Sequence, residues 1–66
     1  SMPEAIGRLQ AALARARSVS FEALTAGAGR LEEAVTLMAT LELARRGEVT
    51  LAQSEPFGDI AIVGRR

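Results

Sequence analysis

At Gly47 the apolar period of this chain changes, and that change narrows what it can fold into. From Arg30 to Arg46, Leu31, Ala34, Val35, Leu37, Met38, Leu41 and Ala44 recur at spacings of three and four, the period of an amphipathic helix. Glu32, Glu33, Thr36 and Thr40 are expected on its polar side. From Glu48 the period is two. Val49 and Leu51 alternate with Thr50 and Ala52, and Ile60 and Ile62 alternate with Asp59 and Ala61, as in half-buried strands. Gly47 suits the position just past a helix end, where left-handed backbone is common.

Upstream, Pro3 can open a helix because its missing N–H would be unpaired there. Ile6, Leu9, Leu13 and Ala16 form one apolar stripe, so a helix is expected over 3–16. Arg17-Ser18-Val19 reads as a short extended piece. Ser20 reads as the N-cap of a brief helix beginning Phe21-Glu22-Ala23-Leu24, which Gly27-Ala28-Gly29 ends. Ser54 to Gly58 carries turn chemistry, with Pro56 second and Gly58 fourth in an expected type I turn. The order is helix, extended piece, helix, helix, strand, strand. The expected fold is therefore α+β and mainly α: a winged helix of three helices, a C-terminal β-hairpin and a short extra strand.

A chain of 66 residues holds one domain at most. Residues 3–66 are read as that domain, the C-terminal fragment of a longer protein, and Ser1-Met2 as the remnant of a cleaved tag. The chain has no Cys and no His, so thiolate ligands, the commonest metal ligand and the usual neutral-pH base are all missing. It also lacks Lys and Tyr, and Ser18, Ser20 and Ser54 have no evident base to activate them. No enzyme, cofactor or metal site is expected. Eight Arg balance eight acids, a poor charge for holding a polyanion. No apolar run approaches the roughly 20 residues of a membrane span.

The run from Thr36 to Val49, followed by Leu51-Ala52-Gln53-Ser54-Glu55-Pro56-Phe57-Gly58-Asp59-Ile60, resembles the C-terminal end of the segregation and condensation protein A family, the bacterial kleisins. Leu41-Glu42-Leu43 and Gln53 to Ile60 match the family's leucine-rich helix end and its Q-x-x-P-F-G-x-I segment in order and spacing. Val19 to Leu24 resembles its short second helix. The family usually has bulkier residues where Ala39 and Thr40 stand. The resemblance implies a winged helix that docks on the ATPase head of an SMC protein in chromosome condensation and segregation, in the bacterial cytoplasm at the nucleoid. Accessory subunits would bind regions outside this chain.

Under that reading the partner-binding candidates are Leu43, Gln53, Pro56, Phe57, Ile60 and Ile62. Each has a second reading. Phe57 either folds back to cap the core or anchors the interface. Ile60 and Ile62 either pack on the helices or belong to a last strand that extends a partner's sheet. Leu43, on the expected polar side, is either a lone exposed leucine or part of a contact patch. Glu42, on the expected apolar side, is expected to pair with an Arg at the helix end. Self-association of the fragment is a further option. The alternative function is a DNA-binding winged helix. Against it, the third helix balances Arg30, Arg45 and Arg46 with Glu32, Glu33 and Glu42. The side expected to be exposed also lacks the Arg, Lys, Asn and Gln that read bases.

Overall fold

The computed structural model describes residues 1–65. Arg66, half of the terminal basic pair, lies outside the described residues. The elements are α1 (Met2–Arg15), β1 (Ser18–Ser20), α2 (Phe21–Thr25), α3 (Arg30–Arg45), β2 (Val49–Ala52) and β3 (Ala61–Gly64). This is the expected mainly α, α+β arrangement, winged-helix-like in its order of helices and hairpin.

α1 begins earlier than the sequence suggests. The Ser1 hydroxyl accepts from the Glu4 N–H (3.4 Å), and the Glu4 carboxylate accepts from the Ser1 ammonium (3.3 Å). This reciprocal capping box satisfies donors that the first turn leaves free. Met2 packs against the core. Ser1 thus caps α1, and Met2 lies within its first turn. Ala16, expected inside the helix, is extended and caps its end.

The sheet order is β1-β3-β2, antiparallel throughout. Ile62 of β3 faces Val19 on one side and Leu51 on the other. The reading of the last strand as an open edge is overturned: β3 is central, with both ladders occupied, and the edges are β1 and β2. β3 also begins one residue after Ile60, so Ile60 and Ile62 do not share a strand. Ile60 lies in the lead-in, where its carbonyl accepts from the Phe21 N–H (2.9 Å).

The core is Ala5 and Leu9 of α1, Ala39 and Leu43 of α3, Val49 of β2 and Ile62 of β3. Leu43 and Ile62 have no exposed surface.

α3 turns most of its apolar residues outward, although Val35 and Ala44 of the expected stripe do pack against the core. Thr36, Ala39, Thr40 and Leu43 are buried, whereas Leu31, Leu37, Met38 and Leu41 are exposed. The threonines can enter the core because each satisfies its own hydroxyl. Thr36 Oγ1 donates to the Glu32 carbonyl and Thr40 Oγ1 to the Thr36 carbonyl, both at 2.8 Å. A hydroxyl bonded in this way has no unmet desolvation cost. What remains is a stripe at i, i+3, i+4 and i+7 made mostly of small residues, and it lies against Ala5 and Leu9 of α1.

α3 stops at Gly47, whose φ is 79°. The Glu48 N–H donates to the Leu43 carbonyl (2.9 Å) and the Gly47 N–H to the Ala44 carbonyl (3.0 Å). These two bonds form a Schellman motif, which needs a residue that tolerates left-handed backbone.

Candidate functional site: the hairpin loop and the outer face of α3

The loop from Gln53 to Ile60 joins β2 to β3. At its tip the Gly58 N–H donates to the Glu55 carbonyl (3.0 Å), which closes a four-residue turn. Phe57, third in that turn, has a φ of 62°. Positive φ at this position defines a type II turn and excludes the expected type I, whose third residue has negative φ. The site normally belongs to Gly or Asn, and a bulky residue there is strained. Gly58 is needed for another reason: a Cβ there would lie 2.9 Å from Glu55 Cγ and 3.1 Å from the Glu55 carbonyl oxygen.

The Phe57 ring is fully exposed, so it does not fold back to cap the core. Pro56 beside it is exposed too. Gln53 turns inward across the loop, and its Nε2 donates to the Gly58 carbonyl (2.8 Å). Gln53 thus braces the turn that carries Phe57.

The base of the loop is clamped by Asp59. Its carboxylate accepts from the Glu22 N–H (2.9 Å), from its neighbour the Ile60 N–H (2.8 Å) and from the Ser20 hydroxyl. Ser20 Oγ in turn accepts from the Ala23 N–H (3.1 Å). α2 is therefore capped twice, once by its own N-cap residue and once by a carboxylate from the other end of the chain. The Ser20 hydroxyl and then the two amides favour the charged form and hold the Asp59 carboxyl below its ordinary range.

Of the six residues singled out in the sequence, the loop brings together Gln53, Pro56, Phe57 and Ile60, the last half-buried. Leu43 and Ile62 are core residues and take no part in the surface.

Glu42 forms the expected pairs at the end of α3. Its carboxylate accepts from Arg45 Nη2 (2.7 Å) and Arg46 Nε (2.9 Å). The Arg45 hydrogen bond, then the Arg46 one, lowers its pKa to about 2.

The outer face of α3 is a second candidate surface, and apolar periodicity alone misassigned it to the core. The i, i+3, i+4, i+7 stripe Thr36-Ala39-Thr40-Leu43 was the signal that could have found it. The Ser20–Asp59 link had no sequence signal of its own, since nothing local joins residues so far apart.

An open groove of ≈ 590 Å³ lies at the C-terminal end of α1, where Arg15, Arg17 and Arg65 border Leu13 and Glu48. Gln10 Nε2 donates to Glu48 Oε1 there (3.1 Å). Among the described residues no three acidic side chains gather into a metal-binding cluster, and no helix is long and apolar enough to cross a membrane. No protein-family model matches the chain, and no curated protein matches it.

Proposed function

We propose that this domain is a non-catalytic interaction module, the C-terminal winged helix of a bacterial kleisin. It docks on the ATPase head of an SMC protein in chromosome condensation and segregation, at the nucleoid. ATP hydrolysis belongs to the partner, and accessory subunits bind elsewhere in the kleisin.

The observation that carries this reading is Phe57. A large aromatic side chain stands fully exposed at the tip of a braced turn, on backbone that would be more relaxed with glycine. Strain held at an exposed aromatic points to use in recognition. The turn lies within the Gln53 to Ile60 segment, which carries the family resemblance. Burial of Phe57 and Pro56 against an apolar site on the head supplies the affinity. The outer face of α3 is apolar, so the helix that reads the major groove in DNA-binding winged helices has little here to donate to bases.

The test is calorimetric titration with an SMC head domain from the same organism, with duplex DNA as a parallel titrant. Saturable one-to-one binding to the head, weakened roughly thirtyfold by Phe57→Asp and unchanged by Glu32→Ala, supports the reading. Equal binding by both variants shows that the loop is the wrong surface. Binding to DNA without binding to the head overturns the kleisin assignment.

A further inference from the structure

The outer face of α3 is larger than one stray leucine. Leu31, Ala34, Met38, Leu41 and Arg45 follow one another at spacings of three and four, the repeat that lets two helices pack along a common seam. Leu31 is 80% exposed, Met38 50% and Leu41 52%. This row lies opposite the buried stripe Thr36-Ala39-Thr40-Leu43, and nothing among the described residues covers it.

The charges of the helix specify an occupant. Arg30, Glu32 and Glu33 give its beginning one net negative charge. Glu42, Arg45 and Arg46 give its end one net positive charge. A parallel copy would bring like charges together at both ends. An antiparallel copy sets each acidic end against a basic end and also opposes the two helix dipoles. The surface is thus complementary to itself under a two-fold rotation, as an isologous interface requires.

We propose that α3 pairs with α3 of a second copy of this chain as an antiparallel helix pair, with Met38 near the two-fold axis and Leu31 packed beside the aliphatic stem of Arg45 of the second copy. This contact is separate from the hairpin loop, so a dimer leaves both Phe57 side chains free.

Analytical ultracentrifugation from low micromolar to near-millimolar protein tests the proposal. Reversible dimerisation is expected. Met38→Glu, or Leu41→Lys as a second variant, should raise the dissociation constant at least about tenfold, while far-UV circular dichroism, and melting at concentrations where both proteins are monomeric, stay unchanged. Glu32→Arg/Glu33→Arg and Arg45→Glu/Arg46→Glu should each be monomeric alone and associate when mixed. A wild-type chain that stays monomeric overturns the proposal, as does a dimer indifferent to Met38→Glu. Charge-swapped variants that each self-associate like the parent rule out the antiparallel arrangement. If the chain is monomeric and Met38→Glu instead weakens titration of the SMC head, the face belongs to that partner and not to a second copy.

Discussion

The Asp59 carboxylate, just ahead of the last strand, accepts the Ser20 hydroxyl proton and caps the first turn of the helix that Ser20 begins. One side chain thus ties the base of the hairpin loop to α2. Ser20→Ala removes the N-cap acceptor and the donor to Asp59 together. It should lower stability by about 1–2 kcal/mol in urea unfolding. Asp59→Asn should lose part of that and Asp59→Leu more.

Two carboxyls, Glu42 and Asp59, contribute to the acid sensitivity. Both have folded-state pKa values below their unfolded ones, so each stabilises the fold above the unfolded pKa and loses that effect as pH falls through the folded value. For Glu42 the window runs from about 4.5 down to about 2. Chemical denaturation across that window should show stability falling with pH. Glu42→Gln should flatten the slope, and the difference should shrink in high salt because the pairs face solvent.

The orientation of α3 is open to a direct mutational check. Leu31→Glu should change unfolding free energy by no more than about 0.5 kcal/mol, because Leu31 is 80% exposed. Leu43→Ala should cost about 2–5 kcal/mol, comparable with the whole stability of a domain this size. If Leu31→Glu unfolds the chain, the helix lies the other way round.

Thr40→Val should leave stability within about 1 kcal/mol of the parent, because the lost hydroxyl was bonded only within its own helix. Ala39→Leu should cost about 1–3 kcal/mol by forcing α1 and α3 apart. Thermal melts of the two variants side by side separate polarity from volume.

Phe57→Gly should stabilise the domain by about 0.5–1 kcal/mol, since glycine adopts positive φ without strain. The same substitution should weaken docking on the SMC head by at least about tenfold. Gain of stability with loss of binding would identify a residue kept for its partner.

Local chemistry made most of the fold legible. Ser20, Gly27 and Gly47 marked helix ends correctly because capping depends on a few neighbouring residues. Val49 and Leu51 marked a strand because burial alternates along it. α3 was misread because its apolar residues outnumber what the core accepts. The choice between its two faces was made by the close approach of α1, where Ala39 and Thr40 fit and Leu41 would not. Phe57 was legible as a turn residue but not as a left-handed one, since its residue type argues against that backbone. The central place of β3 depends on pairing with β1, far off in sequence, and no local pattern encodes it.

That placement has a consequence for assembly. β1 and β2 share no ladder with each other, and every hydrogen bond between strands runs through β3. Synthesis on a ribosome leaves both flanking strands without a neighbour until Ala61 to Gly64 have emerged. The helices can form before then, but no two strands of this sheet can pair until β3 is present.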